Sequence, residues 1–176
     1  MLIKTKTSTI LKAMRIIAWI AFIGLMVQAG AILISGIITF NNPAGANDFY
    51  DHMDVSKLLS FSPLHFAVFV FFLASTSVLK SIVWYLVIKC LTGFNLTQPF
   101  TMTVVKRLEQ ISILLLAVWG LGVFANGHMN YILFEIGDFI GEKAGGEFLF
   151  MAGLVYVISQ IFKRGVEIQA ENELTV

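Results

Sequence analysis

The feature that most constrains this chain is a set of four long apolar stretches with almost no charge. They cover about residues 16–40, 64–91, 104–125 and 146–162, and the last is the shortest. A helix that crosses a bilayer needs roughly 20 predominantly apolar residues. The composition agrees, because 57% of the residues are hydrophobic and only 13% are charged, whereas soluble domains are about 25% charged. We therefore expect an all-α, polytopic membrane protein with four transmembrane helices, and a single domain over residues 1–176.

The distribution of basic residues predicts the orientation of these helices. Loops that stay in the cytoplasm carry an excess of Lys and Arg. If both termini are cytoplasmic, the outer segments hold only Lys57 and Lys143. The inner segments then hold nine basic residues: Lys4, Lys6, Lys12, Arg15, Lys89, Lys106, Arg107, Lys163 and Arg164. This bias predicts that the N-terminus and the polar tail at 163–176 both face the cytoplasm. The first apolar stretch is too long for a cleavable signal peptide, so we expect a retained helix.

Two turn signals predict where helices begin. The first outer loop ends at Pro63, after which a helix can restart at Leu64, because proline is favoured in the first turn of a helix. In the inner loop, Thr101 follows Pro99 and is a good N-cap for the third transmembrane helix.

The second outer segment, residues 127–146, is not a plain loop. Apolar residues recur in it at helical spacing. One interpretation ends the third transmembrane helix at Asn126-Gly127 and lays residues 128–141 on the outer membrane surface as an amphipathic helix. The other is a single long helix from Val104 to about Ile140. The pattern favours the surface helix, and its apolar positions are Met129, Ile132, Leu133, Ile136 and Ile140.

Lys80 is the one full charge well inside an apolar stretch. Burying a lysine at the centre of a membrane helix costs about 2.5–3.5 kcal/mol, so its surroundings must compensate. Glu109, Gln110 and Gln160 lie near the inner ends of the third and fourth stretches and could share a polar cluster with it. We favour a lysine whose stem reaches toward the membrane surface; the alternative is a functional contact with an ion, a proton or a partner.

The motifs of catalysis and cofactor binding are missing. His52, His65 and His128 all lie near the predicted outer face, and imidazole is a common metal ligand. Their spacing matches no known signature, so they are only weak candidates for a metal site. There is no HExxH, GxSxG or phosphate-binding glycine loop. We expect no cofactor and no enzymatic activity. The net charge of +1 also argues against direct nucleic-acid binding, which needs a concentrated basic face.

Two short motifs indicate a family. QPFTMTVVKRLEQI precedes and enters the third apolar stretch, and IFKRGVEIQAENELTV ends the chain. Together they resemble the bacterial membrane proteins grouped as domain of unknown function 2975, which have four transmembrane helices. Glu173 stands where that family's closing motif would have aspartate. The matching residues are Pro99, Phe100, Thr101, Arg107 and Leu108 in the first motif, and Gly165, Glu171, Asn172, Leu174, Thr175 and Val176 in the second.

The resemblance implies a location and a class of function. Members of the family have no known biochemical activity, but they are often encoded beside a small helix-turn-helix regulator. This implies a regulatory protein of the bacterial plasma (inner) membrane that binds such a cytoplasmic regulator through the two motifs. The tail itself is either a docking segment or a solvated helix end. The alternative function is a small transporter, channel or accessory subunit that uses Lys80 and the inner polar cluster. Flux through so few polar groups would require a homo-oligomer.

Overall fold

A computed structural model describes residues 6–93, 100–136 and 145–173, and these are mostly helical, with no strand among them. Two short 3-10 segments, Pro43–Asp48 and Tyr50–His52, lie in the loop after the first helix. The α-helices of the described residues are α1 (Lys6–Asn41), α2 (Ser56–Phe61), α3 (Pro63–Thr92), α4 (Met102–Ile136) and α5 (Glu147–Glu173).

Four of these helices have the length and composition of membrane spans. Their apolar segments have mean hydropathies of 2.3, 2.0, 1.8 and 1.3, and cover Ser8–Asn41, Pro63–Thr92, Met102–Ile132 and Glu147–Asn172. Large apolar side chains lie on the surface, for example Ile20 (66% exposed) and Phe124 (73% exposed). Water would disfavour so continuous an apolar surface, whereas lipid would not. The prediction of a multi-pass, all-helical membrane protein is confirmed, and each helix is longer than predicted.

The predicted helix starts follow the local sequence. α3 begins at Pro63 itself. α4 begins after Thr101, whose Oγ1 accepts a hydrogen bond from the Val104 N–H at 3.4 Å. Before α2, the Asp54 carboxylate accepts hydrogen bonds from the N–H (2.9 Å) and the hydroxyl (2.6 Å) of Ser56, the first residue of that helix. These contacts satisfy backbone groups that a helix end leaves free.

The interpretation of residues 128–141 as a separate surface helix is wrong for the described part. α4 continues without a break through Asn126 and Gly127 to Ile136, which matches the alternative of one long helix. Glycine in a helix costs only about 1 kcal/mol relative to alanine. The burial of Ile132, which is 3% exposed within an apolar core cluster, can offset that cost. Residues 137–141 lie outside the described residues.

The described residues form two compact units. The first unit contains residues within 6–23, 80–116 and 146–173, and the second contains those within 24–79, 117–136 and residue 145. In the first unit, Ile111 and Leu115 of α4 and Ala152 of α5 form the buried core. Partly buried side chains of α3 and α5 pack against it: Val83, Leu86, Val87, Phe148 and Val155.

The second unit is built around the segment that joins α1 to α3. This segment folds back on itself, because the N–H of Val55 donates to the Ala46 carbonyl at 2.8 Å and the N–H of Phe49 donates to the Met53 carbonyl at 2.9 Å. The tight turn between Phe49 and Met53 places Asp51 and His52 in the left-handed region. The buried core of this unit contains Ile32, Ala46, Phe49, Val55, Leu58, Leu59, Phe66, Phe69, Val70, Ala74 and Ile132.

Candidate functional site

Phe100 and Gly165, one from each sequence motif, are in direct contact. A Cβ atom built on Gly165 would lie 2.6 Å from Cδ1 of the Phe100 ring. The same ring packs edge-on against Phe162, with ring centres 5.3 Å apart and an interplanar angle of 63°. The segment that leads into α4 therefore rests on α5 at a glycine, where α5 has no side chain. The two motifs, distant in sequence, form one site.

This contact borders a surface groove that we name the tail groove. Its volume is about 930 Å³. Phe100 and Ile161 give it apolar walls, Ile168 is 45% exposed, and Gln169 and Asn172 supply amides. The residues that line it are Phe100, Ile161, Arg164, Gly165, Ile168, Gln169 and Asn172.

Arg164, the cation that lines the tail groove, forms ion pairs with two carboxylates of α5. Arg164 Nη1 lies 2.9 Å from the Glu167 carboxylate and 3.8 Å from that of Glu171. These side chains are about half to two-thirds exposed, and exposed ion pairs contribute roughly 0–1 kcal/mol. The pairs therefore balance the charge along this part of α5 and do little for stability.

Arg107, predicted to be a partner-binding residue, has a structural contact. Its guanidinium donates a hydrogen bond to the Lys89 carbonyl in the last turn of α3. A Cβ on Gly93 would lie 2.7 Å from Arg107 Nη1, so the missing side chain at Gly93 leaves room for the guanidinium. A positive charge is favourable at the C-terminus of a helix, where carbonyls lack partners. Arg107 thus connects α4 to the end of α3.

The remaining motif residues lie in different parts of the structure. Thr101 is the N-cap of α4. Glu171 and Asn172 lie in the last turns of α5, and Asn172 lines the tail groove. Pro99, Leu174, Thr175 and Val176 lie outside the described residues.

The predicted inner polar cluster forms in part. Gln160 Nε2 donates to Glu109 Oε1 at 3.3 Å and to the buried Ser159 hydroxyl at 3.2 Å. Gln110 is exposed on α4. Lys80 is half-buried, and its ammonium lies 5.1 Å from the centre of the Phe148 ring, which is cation–π geometry.

Sequence reasoning missed a buried hydroxyl that links α4 to α5. The Ser112 hydroxyl donates to the Ala152 carbonyl at 2.8 Å, and Ser112 is 7% exposed. Interhelical hydrogen bonds of this kind connect membrane helices. The only signal available in the sequence was a serine within an apolar span.

The three histidines separate into a pair and a single residue. The rings of His65 and His128 have centres 5.1 Å apart. His52 is exposed, and its Nδ1 lies 2.7 Å from Asp48 Oδ1; that hydrogen bond, and then the Asp48 charge, raise the pKa of His52. Across 6–93, 100–136 and 145–173, no three His, Cys, Asp or Glu residues come together to hold a metal ion. A metal site using all three histidines is therefore not formed.

Comparison with known proteins agrees with the motifs. The family described as protein of unknown function (DUF2975) matches residues 75–176, which is more than half of the chain and includes both motifs. No curated protein and no solved structure matches the chain. The chain belongs to the DUF2975 family.

Proposed function

We propose that this protein is a non-enzymatic regulatory membrane protein that binds a cytoplasmic partner in its tail groove. The partner class we propose is a small helix-turn-helix transcription regulator, and the location is the plasma (inner) membrane of a bacterium. The observation that carries the proposal is the contact between Phe100 and Gly165, which joins the two family motifs and borders the groove.

The charge distribution supports a cytoplasmic groove. Nine Lys and Arg residues fall on the predicted inner segments, against two on the outer segments, and this bias sets the orientation of membrane helices. The tail groove lies on the same predicted side, since Phe100 precedes α4 and Gly165 follows the apolar part of α5. A cytoplasmic protein could reach it there without crossing lipid.

The lining of the groove suits a peptide segment of a partner. Grooves that bind an amphipathic helix offer apolar walls to a few anchoring side chains, with polar groups at the edge. Here Phe100, Ile161 and Ile168 supply the walls, while Gln169 and Asn172 supply amides at the lining. Its volume of about 930 Å³ is sufficient for several side chains, given that ligand pockets are about 300–1,000 Å³.

The test is purification from native membranes in mild detergent, with bound proteins identified and then rebound as pure components. Ile168→Asp places a charge in the groove lining. Ala170→Asp is its matched control, because Ala170 is exposed on the same helix and is not among the groove-lining residues. We expect one DNA-binding protein to be retained by the wild type and by Ala170→Asp, and lost with Ile168→Asp and with a chain ending at Lys163. Equal retention by the two aspartate variants would contradict the proposal.

A transporter, channel or accessory subunit is the second candidate. The polar contact between Gln160 and Glu109 at 3.3 Å and the half-buried Lys80 are the groups that support it. Flux into liposomes that depends on Lys80 would favour this function over partner binding.

A further inference from the structure

His65 of α3 and His128 of α4 form an imidazole pair between aromatic rings. The two imidazole centres are 5.1 Å apart. The Phe61 ring stacks on His65 at 5.8 Å with an interplanar angle of 21°, and the Phe72 ring lies 6.1 Å from His128. All four side chains belong to the second unit, and none takes part in the tail groove.

Each imidazole has one buried nitrogen without a hydrogen-bond partner. These atoms are His65 Nδ1 and His128 Nε2. About 90% or more of buried polar groups in proteins have a partner, so two such atoms on contacting rings need an explanation. A neutral imidazole nitrogen without a proton is an acceptor and a metal ligand. The two unpartnered nitrogens, on rings that contact each other, are available as ligands for a small cation.

We propose that His65 and His128 together bind one soft monovalent metal ion of the copper(I) class. A metal–nitrogen bond of about 2 Å, added to the distance from each nitrogen to its ring centre, allows the two centres to be up to roughly 6.5 Å apart. The observed 5.1 Å is shorter than that limit, so the two metal–nitrogen bonds would meet at roughly 105° and not in line. Both rings can reach a common ion in this bent arrangement, which leaves the ion open to a third ligand from outside the protein.

The surroundings select a monovalent ion over a divalent one. Zinc normally takes three or four protein ligands, but in the described part of the chain no third His, Cys, Asp or Glu joins this pair. A divalent ion held by two neutral imidazoles would keep both its charges without a carboxylate, and uncompensated buried charge is costly. Copper(I) accepts two neutral nitrogen ligands and leaves a single charge, which the faces of neighbouring aromatic rings stabilise.

The test measures metal binding by the purified protein in detergent, on a Cys90→Ser background that removes the single thiol. Silver(I) is a redox-inert probe of the same class, and copper(I) is titrated against a chromogenic chelator. We expect one equivalent of either ion, and a higher melting temperature on binding. His65→Gln and His128→Gln should each lower the affinity at least tenfold. His52→Gln is the control and should bind like the parent.

Three outcomes would overturn the proposal. The first is binding of less than one equivalent by the parent. The second is binding by either single variant with the parent's affinity, which would assign the ion to methionine or to the surface. The third is displacement of copper(I) by an equal concentration of zinc, which would contradict the selection for a monovalent ion. Melting temperatures of the metal-free variants separate loss of the site from loss of the fold.

Discussion

The ring of Phe100 occupies the space into which a side chain at position 165 would extend. A Cβ on Gly165 would be 2.6 Å from Phe100 Cδ1 and 2.8 Å from Phe100 Cγ. Phe100 Cδ1 is part of a rigid ring. Relieving an overlap with a Cβ at position 165 therefore requires the whole Phe100 side chain to move. Glycine at this position thus permits the contact that joins the two family motifs.

Replacing Gly165 with alanine should destabilise the protein by displacing Phe100. Overpacking of this kind typically costs about 1–3 kcal/mol, although alanine regains up to about 1 kcal/mol of helix propensity. Gly153→Ala is the matched control on the same helix, since nothing lies within 4 Å of a Cβ at Gly153. We expect Gly165→Ala to melt below the wild type in detergent and Gly153→Ala to melt at or above it.

A double variant separates this contact from other causes. If displacement of the ring is responsible, Gly165→Ala should lower the melting temperature much less in a Phe100→Ala background. The reason is that the effects of substitutions at contacting residues are not additive. An equal effect of Gly165→Ala in the wild type and in the Phe100→Ala variant would show that the ring is not involved.

Removing the Arg107 guanidinium should loosen the end of α3. Arg107→Ala removes one of two donors to the Lys89 carbonyl, which still accepts from the Gly93 N–H at 3.1 Å. It also removes a charge that favours a helix C-terminus, and each effect is worth about 1 kcal/mol. Lys106→Ala is the control, because Lys106 is the adjacent basic residue and is exposed. We expect a lower melting temperature for Arg107→Ala alone. A matching decrease for Lys106→Ala would indicate a general effect of charge.

The role of Arg107 illustrates what the sequence could reveal. The four apolar helices, the start of α3 at Pro63 and the cap at Thr101 were predictable, because each depends on the solvent or on residues within a few positions. The partner of Arg107 depends on how α4 rotates against α3, and nothing in a single sequence fixes that rotation. The contact of Phe100 with Gly165 was unpredictable for the same reason.

The glycines of α1 illustrate the same limit. Gly24, Gly30 and Gly36 recur every six residues, and sequence alone does not distinguish them. Only Gly36 of these three has a close neighbour, since a Cβ there would lie 2.7 Å from Val70 Cγ1. Similarly, the continuous path of α4 through Gly127 reflects burial of Ile132, which overrides a local signal to end the helix.

Removing the Ser112 hydroxyl should weaken the connection between α4 and α5. Ser112→Ala eliminates the hydrogen bond to the Ala152 carbonyl, and the expected cost is about 0.5–1.5 kcal/mol. Ser60→Ala is the control, because the exposed Ser60 hydroxyl bonds only within its own helix, to the Ser56 carbonyl. Thermal unfolding in detergent should show a decrease for Ser112→Ala and little change for Ser60→Ala. Equal melting of the two variants would contradict a structural role for Ser112.

The contact between His52 and Asp48 should make the loop after α1 sensitive to pH. The pKa of His52 is raised above its ordinary value of 6.5, chiefly by the hydrogen bond with Asp48. A raised pKa in the folded state means that the contact stabilises the loop fully below about pH 6.5, and that this contribution is lost as pH rises through the raised value. Imidazole NMR signals should therefore show His52 titrating above 6.5. Asp48→Asn should lower that midpoint, and Asp51→Asn should lower it less. An unchanged midpoint in Asp48→Asn would contradict the assignment.

Replacing Lys80 with methionine tests whether this charge is structural or functional. Methionine loses the contact with Phe148, worth about 0.5–2 kcal/mol, but it also removes a charge whose burial costs about 2.5–3.5 kcal/mol. The second effect is larger, so Lys80→Met should insert normally and melt at the wild-type temperature or above it. A lower melting temperature would mean that the aromatic contact outweighs the cost of burial.

Liposomes distinguish the two proposed functions, because flux by the wild type that disappears in a stable Lys80→Met variant would identify a transporter. Absence of flux from both proteins would leave Lys80 as a residue that orients α3.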